Sequence, residues 1–438
     1  MDQNNKKSTP IGAMDRIASL DFIRGIAVLG ILASNIVTYA RPNEARRVVA
    51  LVHEVGWTEW FPWLVNYIFI DGKFRGMFAA LFGVGLVVFM ERARARGAPA
   101  RWLQFRRLLW LMAFGALHFV FLFEGDILLQ YALLGVLALW MVSWNPRLLL
   151  ALGVLLLTAA SVTSGIGLWE QAREEQVALA SPATSKERAE YDEYWRGQRE
   201  AVTEESQWMA HGGMRDILSH RFMRDGRLDF DAILDPVLGL SYAVVQYLPM
   251  MLIGAALYRM GFFSGLWNRR RMLRWGVAGI AFSGLISLAM GLWLKQSGWL
   301  FSLNYFVFYG PVHILRLPMV LGYLAVMVAL APRLVPTRIG RRFEAAGQMA
   351  LTNYLGMSFV MAVIFQGWGL GLFDRFDRFQ QWGFLVLGCV LMLAWSLPWL
   401  ARFRFGPLEW VWRCLTYWRI FPLRREATAA GTPAREAS

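Results

Sequence analysis

The chain has 438 residues, 57% of them hydrophobic and 17% charged, with a net charge of +14 at pH 7. So low a charged fraction excludes an ordinary soluble globular protein. The arginine excess would suit nucleic acid in a soluble chain, but these arginines stand beside apolar runs, so membrane anchoring accounts for them and no nucleic-acid partner is expected.

Residues 1–15 are polar and carry no cleavable signal pattern. The next stretch, RIASLDFIRGIAVLGILASN at 16–35, is an apolar helix with a polar thread. At 3.6 residues per turn, Asp21, Arg24, Val28, Ile31 and Asn35 share one stripe. A charged pair in a lipid-compatible helix faces a protein interior or a wet cavity. An i, i+3 ion pair accounts for Asp21 and Arg24 as well, whereas a phosphate-gripping role would use Arg24 with Asp21 orienting it.

Apolar runs near the roughly 20 residues that cross a bilayer recur along the chain. They predict an all-α, polytopic transmembrane bundle of about ten spans, near 19–40, 70–90, 108–124, 127–144, 148–168, 237–260, 275–294, 304–331, 347–369 and 382–401. Arg92–Arg107, Arg269–Arg274, Arg333–Arg342 and Arg402–Arg419 then fall on one side, with Lys6, Lys7 and Arg16. By the positive-inside rule that side is cytoplasmic and holds both termini. Membrane lipid is expected as a partner, with a homodimer as a further candidate.

The outer face receives 41–69 as a loop, including His53 in VHEVGWTEW, which on its own reads as a solvated loop residue. Lys73 and Arg75 begin the second span and read as snorkelling anchors. His118 follows Arg107 by eleven residues, about 16 Å along a helix, which puts it in the outer half of the third span. Glu124 and Asp126 come next, at the outer turn. A histidine beside carboxylates can act as a general base with its tautomer held by the acid; a hydrogen-bonded histidine near an ordinary polar turn fits the same residues. The segment 169–236 mixes both charge signs with Trp, Tyr and Met and is expected as extracytoplasmic helices on the membrane surface.

His313 and Arg316 lie in GPVHILRLP, between Pro311 and Pro318, where a broken helix is expected. Arg316 there needs an anionic partner or a carbonyl cap. Residues 402–438 contain GPLEWVWRCLTYWRIFP, which reads as an amphipathic cytoplasmic interfacial helix followed by a tail. Cys389 and Cys414 support neither a disulfide framework nor a metal cluster, and no metal is expected. No Walker loop, G-x-S-x-G elbow or H-E-x-x-H motif occurs.

RIASLDFIRGIAVLGILASN resembles the opening of the YeiB-like family of bacterial inner-membrane proteins, a family of unknown function. LHFVFLFEGDILLQYALLG, LPMMLIGAALYRMGFF, GQMALTNYLGMSFV and FGPLEWVWRCLTY resemble its later blocks, in the expected order. The opening is also similar to that of lysosomal heparan-α-glucosaminide N-acetyltransferases and other transmembrane acyltransferases. That resemblance implies acyl-CoA entering from the cytoplasm as co-substrate and an acceptor, such as a glycan hydroxyl or amine, acylated on the far side. It implies a catalytic Asn at the end of the first span, matched by Asn35, and a His in the following loop, matched by His53 only by region. His118, with Asp126 and Glu124, is the stronger candidate base here. Arg24, Asp21, Arg316 and His313 are the candidates for holding the acyl-CoA. A transporter of a small or lipid-like substrate is the alternative, since polar spines and broken helices serve transport equally.

Overall fold

A computed structural model describes residues 13–51, 55–224, 227–232, 234 and 240–425, and the chain there is helical almost throughout. Helix α1 (Ala13–Ala40) is followed by α2 (Asn43–Arg47), α3 (Trp57–Phe69), α4 (Lys73–Ala95), α5 (Ala100–Phe121) and α6 (Leu128–Met141). The long α7 (Pro146–Ala180) leads to α8 (Lys186–His211), α9 (Met214–Phe222) and a small hairpin pairing Met223–Arg224 with Arg227–Leu228. Then come α10 (Leu240–Gln246), α11 (Leu248–Arg259), α12 (Arg269–Gln296), α13 (Phe301–Tyr309) and α14 (Val312–Leu334). The chain closes with α15 (Arg338–Gln348), α16 (Ala350–Phe365), α17 (Arg378–Arg402) and α18 (Pro407–Tyr417).

Helix α1 is the spine of the bundle. Its run of Ile, Val, Leu and Ala ends at Arg41-Pro42, where proline disfavours helix in the residue before it. Its most apolar stretch is 78% buried, against 28% for α7 and 22% for α12 and α17. The outer helices instead present Leu155, Ile166, Phe282, Leu285 and Val386 outward, as lipid-facing surfaces do. Around α1 pack α4, α14, α15, α16 and α17. The crossing with α15 is backbone on backbone: a Cβ on Gly25 would lie 1.9 Å from the Phe343 carbonyl oxygen, and one on Gly347 would lie 1.8 Å from that of Asp21. Small residues permit such approaches between membrane helices.

The molecule is a polytopic membrane bundle. Among the described residues six helices are long and apolar enough to cross a membrane, or seven if α15 and α16, which meet at 84°, form one bent span. Each of the ten apolar stretches contains a described helix, but Leu128–Met141 and Ala243–Arg259 are short. Beyond the last span, α18 is the separate amphipathic helix expected at the C-terminal end.

Two expectations are corrected. Residues 57–69 are not loop: they form α3, which buries Trp63 and Tyr67 and runs into α4 through the turn at Gly72. Lys73 is no snorkelling anchor either. It is fully buried, and its Nζ donates to the Tyr67 carbonyl and lies over that ring. A single positive-φ glycine between α3 and α4 turns the lysine inward, where the freed carbonyls at the end of α3 receive it.

Within segment 169–236 the described helices pack on the bundle. Helix α7 continues to Ala180, and α8 returns to pack Val202 against Ala45, Val48 and Leu51. Ser206 donates to Asp374 at 2.7 Å, and the Gly367 amide donates to the Met209 carbonyl at 2.8 Å. This cap covers the end of the bundle where α1 emerges.

Candidate functional site

A cavity of about 540 Å³ opens at the end of the bundle that carries the N-terminal half of α1, within the usual size range of small-molecule sites. Its mouth is ringed by Arg24, Arg92, Arg96, Arg107, Arg404 and Arg413, against Asp21 and Glu409. Three sequence-distant basic clusters thus meet on one face. Arg107 lies over Trp412 of α18 at 4.2 Å, and the Trp412 indole donates to the Arg107 carbonyl at 2.9 Å. Both oxygens of the Glu409 carboxylate are engaged by the Thr352 amide and hydroxyl at the start of α16. Burial raises the pKa of that carboxyl, and the Thr352 hydrogen bonds only partly offset the rise. The acid therefore fastens α18 to the start of α16.

Asp21 and Arg24 form a 2.5 Å ion pair, and Arg24 keeps 32% side-chain exposure at the mouth. Beyond them the wall turns apolar, with Phe78, Phe82, Leu108, Leu111 and Leu128 leading to Tyr131 and Tyr354. The deep wall is therefore built by α4, α5, α6 and α16, and the α1 stripe contributes only the entrance.

Behind Tyr354 stands the histidine. The His118 and Tyr354 rings are 5.0 Å apart. His118 Nδ1 and Asp126 Oδ1 are 2.7 Å apart, with both side chains essentially out of solvent. Asp126 Oδ2 accepts the Leu129 amide at 2.7 Å, a hydrogen bond that fixes the carboxylate at the start of α6. A carboxylate there makes Nδ1 the protonated nitrogen and leaves Nε2 as the lone-pair nitrogen. Nε2 is buried and has no hydrogen-bond partner. The chain turns sharply from α5 into α6, so eight residues of sequence separation become a direct contact.

The other predicted residues divide between places. Glu124 is half-buried and acts electrostatically on Arg46 and Glu205 rather than joining the His118 pair. Asn35 is buried with Nδ2 unpartnered, one turn before Tyr39, whose ring lies tilted against Phe123 at 4.2 Å. His53 lies outside the described residues. His313 and Arg316 sit together on α14, but not with Arg24. Arg316 instead lines a second, polar cavity with Ser34, Thr38, Arg46 and Arg75. Ser34 and Arg24 are ten residues apart on α1, about 15 Å, so the two cavities lie toward opposite ends of the spine.

Sequence reasoning missed Tyr354 and the ion cluster at the far end of α1. There Arg41 grips Glu59 with two bonds, of 3.0 and 2.5 Å, and Arg378 Nε approaches the same carboxylate at 3.4 Å. The charged pairs were visible as residue types, but their partners lie on separate elements, and no periodicity links them.

Comparison with known proteins agrees with this chain-wide pattern. The family described as "Protein of unknown function (DUF418)" matches residues 257–419. The chain is 31% identical to "Uncharacterized protein YeiB" of Escherichia coli (strain K12), over 92% of this chain and 97% of that protein. It is 27% identical to "Uncharacterized protein YxaH" of Bacillus subtilis (strain 168), over 94% and 97%. No solved structure matches.

Proposed function

The chain belongs to the YeiB-like DUF418 family, and from that premise we propose that it is a transmembrane acyltransferase, moving an acyl group from cytoplasmic acyl-CoA to a hydroxyl or amine of an extracytoplasmic acceptor such as a glycan. The observation that carries the reading is the His118–Asp126 pair, with Nε2 left free, packed against Tyr354 in the wall of an arginine-mouthed cavity.

Each part of that cavity has a use in the reaction. Guanidinium groups at the mouth suit the phosphates of CoA, and the apolar passage suits the uncharged pantetheine arm. His118 Nε2 takes the proton of the acceptor hydroxyl or amine as its oxygen or nitrogen bonds to the thioester carbonyl carbon. The carbon–sulfur bond then breaks, and the departing thiolate takes the proton back from the imidazolium. Asp126 keeps the ring in the basic tautomer and stabilises it while charged. Asn35, with an unsatisfied amide nitrogen, is the candidate donor for the carbonyl oxygen. In this reading the protein lies in a bacterial inner membrane, both termini and the arginine-rich mouth are cytoplasmic, and 169–236 is periplasmic.

Purified protein in lipid nanodiscs, incubated with radiolabelled acetyl-CoA or succinyl-CoA and cell-envelope glycans, tests this directly. Label should pass to the glycan with release of free CoA. The 84° break between α15 and α16 and the two cavities toward opposite ends of α1 favour transport as the second reading. Glycan uptake into proteoliposomes without CoA release would select it.

A further inference from the structure

The second cavity has a chemistry of its own. It measures about 60 Å³, several times the roughly 10–15 Å³ that one water needs and too little for a sugar ring. Thr38, Arg46 and Arg47 on its border are partly exposed, so it reaches solvent beside α2.

Its charges do not balance. Arg47 is paired with Glu44 at 3.0 Å, and Arg378 with Glu59 at 3.4 Å, an acid already held by Arg41. Arg46, Arg75 and Arg316 then border the cavity with Asp71 as the only acid among its described lining residues, and Glu124 and Glu205 act on Arg46 from outside that lining. Asp71 is itself shared between Arg75 at 3.3 Å and the Ser34 hydroxyl at 3.0 Å.

Arg316 is the residue most plainly waiting for a ligand. It is only 6% exposed, its Nη2 donates to the Phe308 carbonyl at 2.9 Å, and its Nε has no partner. Gly72 makes room for it: φ there is +71°, and a Cβ would lie 2.6 Å from Arg316 Nη1. Buried cations short of a counter-charge are strongly unfavourable, whereas an oxyanion would answer several guanidinium groups at once.

We infer that this cavity is a binding site for one phosphoryl group, held by Arg316, Arg75 and Arg46. The phosphoryl group belongs to a phosphoester, either a lipid headgroup or a soluble compound, on the face opposite the large cavity. If the protein is an acyltransferase, this group marks its acceptor; the binding itself does not depend on that reading.

The test is binding without catalysis. The full chain in phosphatidylcholine nanodiscs is titrated with inorganic phosphate against chloride of equal ionic strength, and the thermal unfolding midpoint is read. Phosphate should raise the midpoint where chloride does not, and Arg316→Gln should weaken the effect about tenfold or more. Thr38→Met, which fills the cavity without removing a charge, should do the same and decides the matter if Arg316→Gln fails to fold. In a second arm phosphatidylglycerol replaces part of the lipid and no phosphate is added. A midpoint shift there that Thr38→Met abolishes assigns the site to a lipid headgroup; a shift with phosphate alone assigns it to a soluble phosphoester. The inference is overturned if neither phosphate nor phosphatidylglycerol moves the midpoint, or if wild type and both variants respond alike. No acyl transfer is measured, so this failure and the failure of the acyltransferase reading are separable.

Discussion

At the scale of the residue, His118 and Arg24 make the sharpest demands. A histidine present only for packing needs its Nδ1 hydrogen bond to Asp126 and nothing at Nε2. A base needs the Nε2 lone pair. His118→Gln keeps size and hydrogen-bonding capacity but cannot take a proton near neutral pH. The variant should insert, melt within a few degrees of wild type and still bind CoA, while acyl transfer falls by ~10²–10⁴. Near-normal turnover would reduce His118 to a packing residue. Arg24 makes a different claim. If its guanidinium grips a CoA phosphate with two parallel bonds, Arg24→Lys keeps the charge and loses the fork, so CoA affinity measured by calorimetry should drop about tenfold. Unchanged affinity in a folded Lys variant would leave Arg24 as the partner of Asp21 and no more.

At the scale of the element, the cap formed by α8 carries a pH dependence. Glu205, outside the spans, accepts the Asn43 amide at 3.1 Å. Burial first, and Glu124 next, push its carboxyl up to about 8, against the pull of Arg46 and Arg221. The folded chain thus holds this proton more tightly than the unfolded one. The stability it lends is full below the ordinary glutamate range near ~4.3 and is lost as pH rises from there through about 8. The thermal midpoint of the wild type should fall across that window, and Glu205→Gln, which stays neutral and can still accept the Asn43 amide, should flatten the slope. An identical slope in the variant would mean that other groups carry it. Elements also differed in how readily they could be read beforehand. The apolar runs were legible because lipid imposes its length and polarity on any helix that crosses it. Helix α1 was legible as a spine because a charged pair in such a run cannot face lipid. By contrast α3 is 13 residues with Pro62 and Glu59 inside, and what buries it is Arg41 and Arg378, 18 and 319 residues away. The His118–Asp126 contact spans one turn and could be anticipated. The phosphoryl cavity draws Thr38, Arg75, Arg316 and Arg378 from four separate helices, and only the folded arrangement brings them together.

At the scale of the molecule, sidedness decides whether any of this chemistry is reachable. The large cavity gathers Arg24, Arg92, Arg107 and Arg413 onto one face. The Tyr258–Glu91 contact at 3.3 Å brings the end of α11, just ahead of the 269–274 arginines, to that same end of the bundle. The α8 cap packs at the other end, on α2 and on the 366–374 turn. Arginine-rich loops stay in the cytoplasm, so Leu266, which is 69% exposed, should be cytoplasmic, and Lys186, with 85% side-chain exposure, should be periplasmic. In a background with Cys389→Ala and Cys414→Ala, single cysteines at 186 and 266 report this in intact spheroplasts with a membrane-impermeant maleimide. Position 186 should label at once and position 266 only after lysis. The reverse pattern would do more than invert a diagram. It would turn the arginine-mouthed cavity toward the periplasm, where acyl-CoA is not supplied, and the acyltransferase reading would lose its donor, whereas the phosphoryl site would then face the nucleotides and phosphoesters of the cytoplasm.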